Sequence, residues 1–152
     1  MFIESSNNKP MEILLVEDGL LDARITIHAL RRSGVRHRLT LVRTAAEATA
    51  FLECEGVFAR APKPDLLLLD LTLPDGDGIS ILQAMRDKKG DHLPPPPVVV
   101  LSASDDAETQ ARCAAMGVDD FIGKPVNEDK FLEVVRTHEN LTKFSEREVM
   151  SV

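Results

Sequence analysis

The chain has 152 residues, a formal net charge of −7, 43% hydrophobic and 28% charged residues, and neither Trp nor Tyr. That is the size of one domain with its own core, and its negative charge opposes non-specific binding to a nucleic-acid backbone. No apolar run approaches the ~18 residues of a membrane span, and residues 1–10 are polar, without a signal-peptide core. Cys54 and Cys113 stand apart, with no CxxC or Cys/His spacing, so neither a disulfide framework nor a zinc site is expected and a reducing cytoplasm is the expected compartment.

The first apolar run, Ile13-Leu14-Leu15-Val16, is too short for a helix and apolar on both faces. Such a run reads as a strand covered on both sides of a parallel sheet. Residues 20–33 read as a helix whose apolar stripe is blurred by Ile27, and Leu39-Thr40-Leu41-Val42 alternates as an edge strand does. Thr44-Ala45-Ala46-Glu47 has the form of a capping box and opens a helix to about residue 53. After a long connection over 54–65, Leu66-Leu67-Leu68-Leu69 is a second fully apolar run, followed by a helix over 79–87. Pro94 to Pro97 make a stiff extended spacer into Val98-Val99-Val100-Leu101. Ser104, with the acids Asp105, Asp106 and Glu108, is the expected cap of the next helix, which Gly117 stops. Phe121-Ile122 is a short fifth strand. Asn127 opens the last helix, on which Phe131, Val134, Val135, His138 and Leu141 share one face. The order is strand–helix five times, which predicts an α/β, doubly wound (βα)5 sandwich. The domain is expected over residues 11–143, between tails at 1–10 and 144–152.

In a parallel α/β sheet, ligands bind beyond the carboxyl ends of the strands. The first strand ends in Glu17-Asp18, the third in Asp70, the fourth in Ser102-Ala103-Ser104 and the fifth in Gly123-Lys124-Pro125. Three carboxylates, a hydroxyl and an ammonium therefore converge on one rim. Carboxylates so placed repel one another, and a hard divalent cation such as Mg2+ relieves the repulsion. A carboxylate facing that ion, a hydroxyl and a lysine is suited to accept a phosphoryl group.

These residues resemble the receiver domain of two-component response regulators. The match rests on Glu17-Asp18, Asp70 with Pro74 and Gly78, Ser102-Ala103 and Lys124-Pro125, and it runs from about residue 11 to 141. The resemblance implies a flavodoxin-like sheet of order 2-1-3-4-5. It also implies Asp70 as phosphoacceptor, with Glu17, Asp18, Asp70 and the backbone carbonyl of Thr72 around Mg2+. Ser102 and Lys124 would hold the phosphoryl oxygens, and the Lys124-Pro125 peptide bond would be cis. Phe121, three residues before the lysine, would act with Ser102 as the switch, repacking the face of the fourth helix, fifth strand and fifth helix. Residues 51–65, Asp22-Ala23-Arg24 and the tail helix from Phe131 to Phe144 are similar to small single-domain regulators paired with phytochrome histidine kinases. That narrower resemblance implies a cytoplasmic homodimer which takes its phosphoryl group from a sensor histidine kinase and signals by protein contacts, not by DNA binding. It implies a phosphoacceptor that promotes its own phosphorylation and dephosphorylation in cis and is not otherwise an enzyme. Gly19 replaces the usual Asn after the acidic pair, Thr72 replaces a common Asn two residues after the phosphoacceptor, and Ser104 stands where the family often has another Ser or Thr; the last two positions flank the path of attacking water in the family.

Two other classes compete. A haloacid-dehalogenase-type phosphatase also uses Asp, Ser or Thr, Lys and Mg2+, but needs an Asp two residues after its nucleophile, where this chain has Thr72. A degenerate receiver would be a scaffold that is never phosphorylated. Asp75 and Asp77 read as turn residues, and His28, His37, His92 and His138 show no ligand spacing. Arg31, Arg32, Arg36, Arg38 and Arg43 read as a solvated helix end and edge strand.

Overall fold

The computed structural model describes residues 9–73, 75–87, 95–103 and 107–145. Strands β1 (Met11–Val16), β2 (His37–Val42), β3 (Leu66–Asp70), β4 (Val98–Ser102) and β5 (Asp120–Gly123) form one parallel sheet in the order 2-1-3-4-5. Helices α1 (Leu20–Arg32), α2 (Ala45–Leu52), α3 (Ile79–Asp87), α4 (Ala107–Ala115) and α5 (Glu128–Thr137) connect or follow the strands, and a short α6 (Thr142–Ser145) ends the described chain. Among the described residues no helix is long and apolar enough to cross a membrane.

The uninterrupted apolar runs follow from burial on both faces. Met11, Ile13, Leu15, Leu66, Leu68, Val99 and Leu101 pack with Ala29 and Leu30 of α1 and with Phe131, Val134 and Val135 of α5. Their neighbours Leu14, Val16, Leu67, Leu69 and Val98 point the other way, onto Ala45, Ala48 and Phe51 of α2 and Ile81 and Leu82 of α3. Successive side chains alternate between faces, so a strand with a core on each side has no position for a polar residue. The edge strand β2 is only part-buried at Leu39 and Leu41 and fully buried only at its last residue, Val42, which joins the α2/α3 core. Ile27 packs part-buried against the α1/α5 core.

The caps show how local sequence sets the element ends. Thr44 Oγ1 accepts from Glu47 N–H at 3.0 Å. Glu47 does not complete the reciprocal half of the box on Thr44; its Oε1 accepts from Arg43 N–H at 2.8 Å. Asp75, beyond β3, supplies the remaining acceptors: its Oδ1 and Oδ2 take the N–H groups of Ala45 (2.8 Å) and Ala46 (3.0 Å). A helix start leaves such donors without internal partners, and these bonds hold the Asp75 carboxyl below the usual carboxylate range. Asp75 thereby ties the loop after β3 to α2. In that loop Thr72 pairs with Asp77 and Leu73 with Gly76 in a two-residue antiparallel ladder, where the sequence indicates only a turn. At the end of α4, Gly117 has φ +89° and Val118 N–H returns to Cys113 O at 3.2 Å, which with Gly117 N–H to Ala114 O (3.0 Å) is a Schellman stop. The expected cap Ser104 and the residues Pro74 and Pro94 lie outside the described residues.

The C-terminal boundary differs from expectation. Asn127 Oδ1 caps α5 by accepting from Lys130 N–H at 2.8 Å, but the helix ends at Thr137, with His138 extended and its Nε2 2.9 Å from Asp120 Oδ2. Leu141 still reaches the core, through a turn, and α6 brings in Phe144, which is 6% exposed. Phe144, assigned to the tail from sequence, is a core residue.

Two outcomes follow. Phe144→Ala is expected to lower unfolding stability by about 3–5 kcal/mol in urea titrations, as truncation of a buried Phe does; a loss below about 1 kcal/mol would contradict its placement. Asp75→Asn is expected to be less stable than wild type at neutral pH. The folded Asp75 carboxyl holds its proton less tightly than the unfolded one, so its contribution is complete above the ordinary carboxylate range and fades as pH falls through and below it. Thermal melts of the two proteins should therefore converge in acid.

Candidate functional site

The carboxyl ends of β1, β3 and β5 meet around one ammonium. Glu17, directly after β1, is 1% exposed, and Asp70, the last residue of β3, is 9% exposed. Lys124 follows β5, and its N–H donates to Ser102 O at 2.8 Å, extending the β4–β5 ladder to the rim. Its Nζ lies 2.9 Å from Glu17 Oε1, 3.1 Å from Asp22 Oδ2 and 3.3 Å from Asp70 Oδ2. The Lys124–Pro125 peptide bond is cis.

Burial and charge act against each other here. Burial pushes the Glu17 carboxyl up, the Lys124 ammonium 2.9 Å away opposes that rise, and the adjacent Asp70 carboxylate adds to it. Burial alone would lower the Lys124 ammonium, but its close pairing with the Glu17 and Asp22 carboxylates and the charge of Asp70 outweigh it, and Lys124 is held above the usual lysine range. Three carboxylates against one ammonium leave an excess of negative charge. Glu17 Oε2 accepts from Gly19 N–H at 3.1 Å. Glu17 Oε1, although close to Lys124, accepts no well-directed hydrogen bond among the described residues. A buried acceptor with open valence, in a site of oxygen donors and surplus negative charge, fits a hard divalent cation.

The predicted residues do not all converge. Glu17, Asp70 and Lys124 meet. Asp18 turns outward: Arg43 Nη2 donates to its backbone carbonyl at 2.9 Å and lies 3.7 Å from its Oδ1. Accordingly no cluster of three or more His, Cys, Asp or Glu side chains stands ready to enclose an ion among the described residues. Thr72 lies in the ladder two residues beyond Asp70. Ser102 ends β4, part-buried and in register with Gly123. Phe121 is half-buried and belongs to neither core, and its N–H donates to Asp120 Oδ1 at 2.8 Å. Gly78 packs so closely under the site that a Cβ there would stand 3.0 Å from Asp70 O and 3.1 Å from Leu69 Cδ1, tighter than a side chain tolerates without shifting β3.

Two residues at the rim escaped the sequence reading as site members. Asp22 holds Lys124 from the first turn of α1, and an acid in a helix that begins at the rim was the signal for it. Arg43 directly follows β2, whose carboxyl end opens on the same rim.

Comparison with known proteins places this geometry. The family model described as the response regulator receiver domain matches residues 13–136. The response regulator Rcp1 of Synechocystis sp. is 33% identical over 134 residues, covering 88% of this chain and 90% of Rcp1. The phosphorylated form of the cyanobacterial phytochrome response regulator RcpA superposes with a TM-score of 0.71 at 36% identity, over 83% of this chain and 89% of RcpA. The Mn2+-bound form of Rcp1 gives 0.69 at 36% identity, over 82% and 89% of the two chains. Receiver domains bind a divalent metal and take a phosphoryl group from histidine kinases. With its sheet order, its buried carboxylates and Lys124 at the strand ends, and the family match over most of its length, the chain belongs to the response regulator receiver domains.

Proposed function

We propose that the chain is a single-domain response regulator in which Asp70 accepts a phosphoryl group from a sensor histidine kinase with Mg2+ at the rim. The carrying observation is the Lys124 ammonium set between the buried Glu17 and the strand-end Asp70. One Asp70 carboxylate oxygen forms the new P–O bond as the P–N bond to the donor histidine breaks, the bonding pair stays on the released ring nitrogen, and the imidazole leaves neutral with its proton on the other nitrogen. Lys124 pairs with the transferring oxygens, and the Ser102 hydroxyl donates to them. Glu17, Asp18, Asp70 and the Thr72 carbonyl would hold the ion, which supplies charge neutralisation of those oxygens when bound. Binding it requires Asp18 to turn inward from Arg43. The domain thus promotes its own phosphorylation and dephosphorylation in cis, with no other substrate.

The output reading rests on Ser102 and Phe121. Ser102 ends β4 in register with Gly123, two residues beyond Phe121 on the neighbouring strand β5. Movement of Ser102 toward a phosphorylated Asp70 frees room for half-buried Phe121 to turn inward, which repacks the α4–β5–α5 face. The added charge of about −1.5 to −2 drives that change, and the face is read by a protein partner or a second copy of the chain. The likeness to RcpA supports a phytochrome kinase as the donor.

Intact-mass measurement after incubation with acetyl phosphate and Mg2+ tests the acceptor. Wild type should gain one phosphoryl group, and Asp70→Asn should gain none. A gain in the variant would contradict the assignment, and no gain in wild type would favour the scaffold reading. Lys124→Ala should be phosphorylated roughly 10²-fold more slowly under the same conditions, the cost of losing one positioned charge-stabilising donor.

A further inference from the structure

Arg43 stands at the carboxyl end of β2 and has no part in the phosphoryl chemistry described above. Three contacts fix it against the acidic pair. The β1–β2 ladder continues past the strand ends, with Glu17 N–H donating to Val42 O at 3.0 Å. Glu47 Oε1 holds the Arg43 N–H at 2.8 Å, tying its backbone to the first turn of α2. The guanidinium then reaches across to Asp18, donating from Nη2 to the backbone carbonyl at 2.9 Å and lying 3.7 Å from Oδ1. Both side chains are about half exposed, at 48% for Arg43 and 49% for Asp18, so neither is held by burial.

We propose that Arg43 is a positioning residue that sets the divalent-cation affinity of the site by keeping the Asp18 carboxylate turned outward and its own positive charge at the rim. The inference rests on the reading of Glu17, Asp18 and Asp70 as the cation's ligands. Two effects of one charge act in the same direction. A cation entering the site must draw Asp18 away from the guanidinium, and it must approach against that guanidinium's field. Solvent screens both effects, because the pair is half exposed. The affinity of the site is therefore weaker than its carboxylates alone would give, and occupancy responds to the cation concentration. The hydrogen bond to the Asp18 carbonyl is a separate matter, since it positions the β1–α1 loop without regard to charge.

Arg43→Gln separates the two roles. Its amide retains a donor for the Asp18 carbonyl and removes the charge, whereas Arg43→Lys retains the charge. The probe is Mg2+ alone, titrated by calorimetry into metal-free wild type, Arg43→Gln, Arg43→Lys and Asp18→Asn at low and high ionic strength. Arg43→Gln should bind Mg2+ about 3- to 10-fold more tightly than wild type at low salt. That advantage should shrink at high salt, and Arg43→Lys should stay near wild type. Equal or weaker binding by Arg43→Gln, or equal tightening by Arg43→Lys, would overturn the proposal. Asp18→Asn tests the underlying reading by itself: it should bind more weakly than wild type, and unchanged affinity there would remove Asp18 from the ligand set whatever Arg43→Gln does. Urea midpoints of the four proteins verify that each is folded at the titration temperature.

Discussion

The site depends on one ammonium held among carboxylates. Lys124 Nζ joins Glu17 after β1, Asp70 at the end of β3 and Asp22 in α1 to the residue that follows β5. Desolvating either sign alone would be costly, and carboxylates this close would otherwise repel one another. The ammonium makes the arrangement tolerable while leaving it incomplete: negative charge remains in excess, and Glu17 Oε1 keeps an open acceptor. A site with those two properties is prepared for a cation and for an incoming anionic group. The strands β1, β3 and β5 are not consecutive in sequence, so only the assembled sheet brings their ends together.

The sheet can hold that site because it is packed on both faces. Leu66 to Leu69 are fully buried, alternating between the α1/α5 core and the α2/α3 core. Such a strand has little freedom to slide, and a one-residue slip would reverse every side chain. Asp70 is the next residue on that fixed strand, and Gly78 under it leaves room for its backbone where a Cβ would press at 3.0 Å. The loop between them is held a third way, by Asp75 on the first turn of α2. Core packing, a missing Cβ and a helix cap thus converge on the position of one carboxylate.

How much of this was legible in the sequence follows from the range of each interaction. The central strands were legible because two-sided burial leaves apolar runs, and the caps Thr44, Asn127 and Gly117 because they act within a few residues. Glu17, Asp70 and Lys124 were legible as strand-end residues in an α/β fold. Asp75 read only as a turn residue because its partners, Ala45 and Ala46, lie about thirty positions away. Asp22 and Arg43 are not legible as site residues for a similar reason: their roles exist only across the rim, toward Lys124 and Asp18. Phe144 is not legible as a core residue because α5 ends at Thr137 and the helical face resumes after a turn, so the 3.6-residue pattern that marks α5 does not reach it. The outward turn of Asp18 was invisible for the same cause, since its partner comes from the neighbouring strand.

The most direct test of the central ammonium is the titration of Glu17 itself, followed by carbonyl 13C NMR in metal-free wild type and in Lys124→Met. Burial and Asp70 push the Glu17 carboxyl up, and the paired Lys124 ammonium holds it down. Removing the ammonium should therefore move the Glu17 midpoint further upward. An unchanged or lowered midpoint would contradict the account, because it would mean that Lys124 does not oppose protonation of Glu17.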